Sequence, residues 1–188
     1  GSVPLSDAVR FVGPGGVEHL QELRDASLLH STPDRIRLLT PVRLAARRAL
    51  TPKAAAAARR HHEEHVAALL ATPNPPPAVR AELEAAVRRL LRLKDGAGAA
   101  ALLTGANAHL DRWGPGGLAQ LTDACLTELP PSATLRGVLL LLRARLRLAR
   151  ADVTGARADA EEAWRLLPWD VEPPRLVAHA RIRQRDLD

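Results

Sequence analysis

Apolar residues recur at three- and four-residue intervals along most of this chain, the spacing of helices that bury one face. One stretch departs from that period. Val17 to Leu28 reads as an amphipathic helix, then two short strands flank a Thr32-Pro33-Asp34 turn, and a new helix opens at Thr40-Pro41. The order is helix, β-hairpin, helix. Chain breakers divide the remainder. Gly13-Pro14-Gly15-Gly16 precedes the first clear helix, and Thr51-Pro52 ends the one that begins at Pro41. Further helices are predicted over 53–71, from Pro77 to about Leu93, from the Asp95-Gly96 turn to Trp113, and from Gly117 to Leu129. Pro130-Pro131-Ser132 is expected to cap a long helix from about Ala133 to Arg150. Asp152 to Thr154 turns the chain into a helix ending at Leu167-Pro168, and a last helix starts near Pro173-Pro174.

Short connections make consecutive helices antiparallel neighbours, and such pairs bury their apolar faces by stacking. The expected fold class is therefore all-α with one short β-hairpin. The expected divisions are 3–50 around the hairpin, a helical linker pair over 53–94, and helical repeats over 95–188.

The pair 133–168 resembles a tetratricopeptide repeat. Ala144, Ala156, Ala163 and Pro168 lie 12, 7 and 5 residues apart, where such a repeat sets its small residues and closing proline. The large aromatics of that repeat are missing here. The pair 97–130 looks like a more divergent copy whose turn is stretched by Gly114-Pro115-Gly116-Gly117. The opening stretch resembles the bacterial STAND (NB-ARC-type) signal-transduction ATPases, and in particular actinobacterial transcriptional regulators of that class. Ala26-Ser27-Leu28-Leu29 and Arg37-Leu38-Leu39-Thr40-Pro41-Val42-Arg43 stand where that family has the end of a winged-helix domain and its wing. Residues 53–71 and 81–130 resemble the helical linker and repeats that follow. No G-x-x-x-x-G-K-[ST] phosphate cradle occurs, and the first half of the winged helix is missing or shortened. The resemblance implies a winged-helix remnant followed by a right-handed α-solenoid. It also implies a nucleotide-binding domain in the parent protein, so ATP belongs to that missing domain and no cofactor is expected in this fragment.

Composition narrows the picture. The chain has 188 residues, enough for one or two small domains. Aromatics make up only 2%, so Leu, Val and Ala must supply the core. Gly1-Ser2 reads as a cloning remnant, and the start at Val3 without a Met reads as an excised piece of a larger protein. Cys125 is the single cysteine, which excludes an internal disulfide and suits a cytoplasmic origin. In its apolar helical setting it reads as a small buried hydrophobe. No apolar stretch is long enough to span a membrane.

The net charge of +6 is spread unevenly, with residues 95–131 net acidic. Arg136, Arg143, Arg147 and Arg150 fall on one narrow face of their helix, and Arg145 lies within the apolar arc. The ordinary reading is a solvated basic face with Arg145 snorkelling. The sharper reading is a site for an acidic peptide or phosphate on the repeats. Arg35, Arg37 and Arg43 mark the wing and its exit and could report a switch or touch DNA. The preceding helix carries Glu18, Glu22 and Asp25 against Arg24, a face that repels phosphate and favours packing against protein. His61-His62-Glu63-Glu64-His65 contains the H-x-x-E-H string of some metal hydrolases, but no third ligand is evident, and a solvated helix face is the simpler account. Trp164 is expected in the core, with Trp169 bridging to the last helix.

The function expected is non-enzymatic: a sensor and protein-interaction region that couples binding on the repeats to a winged-helix switch. Its partners would be a protein or peptide on the repeats and the parent's nucleotide-binding domain. A second copy through an uncapped terminal repeat is also compatible. The alternative is a nucleic-acid-binding winged-helix module.

Overall fold

Gly13-Pro14-Gly15 separates two short helices, of which the sequence pattern predicts only the second. The computed structural model describes residues 3–32, 35–130 and 134–185. The described residues open with β1 (Val3–Pro4) and α1 (Leu5–Val12), neither predicted above. An eight-residue helix lies below the length that is stable alone, so its signal comes from its neighbours. Gly13 and Gly15 both have φ near +80°, with open space around them, which lets the chain reverse within three residues. Next come α2 (Gly16–Asp25), β2 (Leu29–Ser31), β3 (Arg35–Leu38) and α3 (Thr40–Ala49). The predicted hairpin is present. Leu29 pairs with Leu38, His30 with Arg37 and Ser31 with Ile36, all antiparallel. β3 is central, because β1 pairs along its other edge and the sheet order is β1-β3-β2. Pro4, which cannot donate to a ladder, sits on that edge strand. Pro33 and Asp34 of the expected turn lie outside the described residues.

The chain divides into two compact units, Gly1–His65 and Val66–Asp188. That boundary falls inside α4 (Pro52–Leu70), not in a loop. In the first unit Ala8, Leu29 and Ile36 are buried, with Leu20, Leu23 and Leu38 packed on them. α3 contributes no buried residue.

The second unit holds the main core. Val66, Leu69 and Leu70 at the end of α4 join it. α5 (Ala78–Arg92) and α6 (Gly96–Gly105) follow, then a 3₁₀ turn over Ala106–His109, α7 (Leu110–Trp113) and α8 (Leu118–Glu128). The helix expected to run to Trp113 therefore ends at Gly105, and a 3₁₀ turn and a short helix cover the rest of that span. The break turns His109 inward, where its Nε2 lies 2.8 Å from the Leu70 carbonyl and its ring 5.1 Å from that of Trp113. α9 (Thr134–Leu148), α10 (Val153–Leu166) and α11 (Glu172–Arg185) complete the stack. The Pro131-Ser132 cap expected for α9 lies outside the described residues. α9 packs along α10, and α10 along α11. Ala144, Ala156 and Ala163 are buried where these helices meet, as small residues at a close crossing should be.

One turn occurs twice. α5–α6 and α9–α10 are each joined by a residue with φ of +62°, Lys94 or Ala151, followed by an aspartate. In both, the aspartate N–H closes a six-residue loop at 3.0 Å, to Leu90 or Arg147, which is the Schellman pattern. The aspartate carboxylate then caps the next helix, Asp95 accepting from Gly98 N–H at 2.8 Å and Asp152 from Gly155 N–H at 2.9 Å. A Cβ on either glycine would run into that carboxylate. The sequence trace of this device is Asp-x-x-Gly-Ala at 95–99 and again at 152–156.

Candidate functional site

α9 carries four of the residues singled out by the charge pattern, Arg136, Arg143, Arg145 and Arg147, with Arg150 just past its end, and all five guanidinium groups are engaged by neighbouring elements. Arg143 forms a fork with Asp159 of α10, donating Nε to Oδ2 at 2.8 Å and Nη2 to Oδ1 at 2.7 Å. Its Nη1 donates to Asp123 of α8 at 3.0 Å. Arg147, one turn on, pairs with the same Asp159 at 2.9 Å and with Asp152 at 3.5 Å, and donates to the Gly155 carbonyl at 2.9 Å. Arg136 donates to Glu162 at 3.2 Å and to the Leu126 carbonyl at 2.8 Å. Arg150 donates to the Gly116 carbonyl at 3.0 Å. Arg145 points elsewhere, to Asn107 at 2.7 Å and to Glu172 at the start of α11.

The expectation of a solvated basic face therefore needs correcting. Arg136 and Arg143 keep only a fifth of their side-chain surface, since this face of α9 looks into the seam between α8 and α10. Arg145 does not snorkel to water but ties α9 to the 3₁₀ turn and to α11. Burial pulls the Arg143 pKa down, but its hydrogen bonds to Asp159 and Asp123 outweigh that and the net shift is upward. The guanidinium stays charged. Asp159 is the member that sequence reasoning missed. It is 3% exposed and holds two arginines. Its spacing of seven residues from Asp152, on the face of α10 opposite the arginines, was the available signal. An acidic ligand on this face would have to displace these internal carboxylates, so the arrangement acts first as a brace across three helices.

The arginines singled out at the hairpin and its exit are placed as follows. Arg37 is exposed on β3, opposite His30. Arg35 stands on β3 beside Pro4, and its side chain lies outside the described residues. Arg43 is half-buried on α3, with Nε shielded and unpaired among the described residues. On α2, Glu18, Glu22 and Asp25 are all exposed, and Arg24 is paired to Asp25 at 3.3 Å. The acidic face expected of that helix is real.

His61 and His65 sit one turn apart on α4. No cluster of three or more His, Cys, Asp or Glu that could hold a metal occurs among the described residues. Cys125 is fully buried on α8, and burial followed by the nearby Glu128 charge pushes its thiol up to about 12. A thiol so raised is not a nucleophile at neutral pH. Trp113 packs on the main core, but Trp164 does not: it is 46% exposed, which overturns its expected core position. Trp169 is 74% exposed in the turn before α11. No helix among the described residues is long and apolar enough to cross a membrane. No protein-family model matches the chain, and no curated protein or solved structure is significantly similar to it.

Proposed function

We propose that this chain is the non-enzymatic sensor and protein-interaction region of a STAND-type regulator. Partner or ligand binding on its helical repeats would bias a winged-helix switch that in turn contacts the parent's ATP-binding domain. One observation carries the reading: a helix-turn-helix pair, α1 and α2, followed by a hairpin whose inner strand also pairs with β1, and then by antiparallel helical hairpins. That order suits a winged helix leading into tetratricopeptide-like repeats, and the twice-used Asp-capped turn suits a repeat array of right-handed α-solenoid type. The domain reading that goes with it is a winged-helix segment over 3–50, a linker pair over 53–94 and repeats over 95–188, in a cytoplasmic protein. The sequence of the encoding gene upstream of Val3 tests it. A phosphate-binding G-x-x-x-x-G-K-[ST] motif there supports the reading, and a continuous gene lacking one overturns it.

The second reading is a nucleic-acid-binding module. The exposed Arg37 on the wing favours it, and the exposed Glu18, Glu22 and Asp25 on α2, the helix that would enter a groove, oppose it. Titration with duplex DNA at two salt concentrations separates the two. Saturable binding that weakens steeply with salt is expected only of the second reading.

A further inference from the structure

Four aromatic rings of the Phe and Trp kind occur in the whole chain, and two of them, Trp164 and Trp169, stand exposed at or just beyond the end of α10. A chain this poor in rings gains nothing for its core from such a placement. Trp164 lies in an open groove of about 520 Å³ between α10 and α11, lined by Glu161, Trp164, Arg165, Val177 and Arg181. Val177 is buried and forms the apolar floor with the Trp164 ring, while Arg165 and Arg181 form basic walls. Arg157 stands one turn from Glu161 and donates to it at 2.8 Å, and Arg181 approaches it at 4.0 Å. One carboxylate thus faces three guanidinium groups, and the groove keeps a net positive charge. The hydrogen bond from Arg157, with the charges of Arg181 and Arg165, holds the Glu161 carboxyl below its usual range.

We propose that the α10–α11 groove is a docking site for an acidic amphipathic helix of a partner protein. Its apolar stripe would lie on Trp164 and Val177, and its flanking carboxylates on Arg165 and Arg181. The two helices that make the groove have 14 residues each, about 20 Å of length, which matches a partner helix of three to four turns. A solvent-facing tryptophan set between arginines is the composition of an interface anchor. Charge decides between occupants. A twofold contact between copies of this chain would bring two net-positive grooves together, a repulsion that an acidic partner replaces by attraction. The proposal rests on the reading of the helical array as a partner-binding surface, but moves the site from the braced α9 arginines to this face. It does not need the resemblance to a nucleotide-driven switch.

The test uses the full chain and two synthetic helical peptides of about 16 residues, leucines at i, i+3, i+4 and i+7 flanked by glutamates in one and by lysines in the other. Tryptophan emission and calorimetry report binding. The glutamate peptide is expected to bind and to change Trp164 emission, and the lysine peptide to bind at least about tenfold more weakly. Arg165→Glu with Arg181→Glu should reverse that preference, and Trp164→Ala should abolish binding. Both arginines are exposed, so the charge-reversed chain keeps the test valid if Trp164→Ala fails to fold. Equal binding of the two peptides, no binding of either, or binding unchanged by the charge reversal overturns the proposal. So does a dimer in sedimentation that Trp164→Phe retains and Trp164→Ala loses, which would give the groove to a second copy. Failure here with a phosphate-binding motif upstream leaves the proposed function standing. Success without such a motif leaves the groove standing alone.

Discussion

Asp159 shows how much can depend on one residue in this protein. It is buried, and its two oxygens hold Arg143 and Arg147. Removing one partner of such a set leaves the others charged in a poorly solvated seam, so Asp159→Ala should cost about 3 kcal/mol. Urea denaturation, read as the shift in midpoint at constant slope, measures it. Replacing Asp159, Arg143 and Arg147 together with Leu or Met should cost less than Asp159→Ala alone, because no buried charge is then left unpaired and the carboxylates released, Asp123 and Asp152, are at least half exposed to water. Cys125 gives a pH dependence with a definite sign. Its folded pKa of about 12 lies above its ordinary 9.0, so the fold favours the protonated thiol. That contribution is complete below pH 9 and is lost as pH rises toward 12. The stability difference between wild type and Cys125→Ala, measured by chemical denaturation, should therefore vary with pH only in that window. At pH 8 a thiol reagent should label Cys125 at the rate of unfolding; labelling in the folded state would contradict its burial.

At the scale of elements, the turn used at both α5–α6 and α9–α10 makes three separable claims. Ala151 has φ of +62°, a conformation that costs a Cβ-bearing residue but not glycine. Ala151→Gly should stabilise the protein by about 0.5–1 kcal/mol, one of few positions where glycine does so. Asp152→Ala should destabilise by about 1 kcal/mol through loss of the cap, and Asp95→Ala by a similar amount. Gly155→Ala should cost more than an ordinary helical Gly→Ala, which is usually favourable, because its methyl would collide with the Asp152 carboxylate. Thermal melts of these variants check all of them. The same scale explains what pattern reading missed. The Asp-x-x-Gly-Ala repeat was present in the sequence, but it marks a turn rather than an apolar period. α1 was missed because eight residues carry too few turns to establish a helical period. The break after Gly105 was missed because it depends on His109 reaching Leu70, a residue 39 positions earlier.

At the scale of the whole molecule, the two units differ in what holds them. Val66–Asp188 contains one continuous core from α4 to α11, whereas the cluster in Gly1–His65 has three buried apolar residues among those described. Burial of apolar surface sets most of the opening free energy, so native-state hydrogen exchange should divide likewise. Amides of α6, α8, α9 and α10 should exchange only at the global limit, and those of β2, β3 and α3 several kcal/mol below it. Uniform protection across both units would contradict a boundary within α4.

The sequence by itself determined that the chain is mostly helical, where nearly all of its helices lie, that one hairpin interrupts them at residues 29–38, and that α2 turns an acidic face outward. Each of these follows from local periods and breakers, which act over a few residues. Only the tertiary structure decided what the side chains on those faces meet. Charge spacing put three arginines on one side of α9, with Arg150 just past its end, but could not say that Asp159, Asp123 and Glu162 would arrive opposite them, since that requires α8 and α10 to be placed first. Trp164 reads as core in its own helix and becomes surface because α11 packs beside it and leaves the ring uncovered. The α9 arginines are thus matched by internal carboxylates, whereas the α10–α11 groove sets an exposed ring beside two arginines that share a single carboxylate, Glu161.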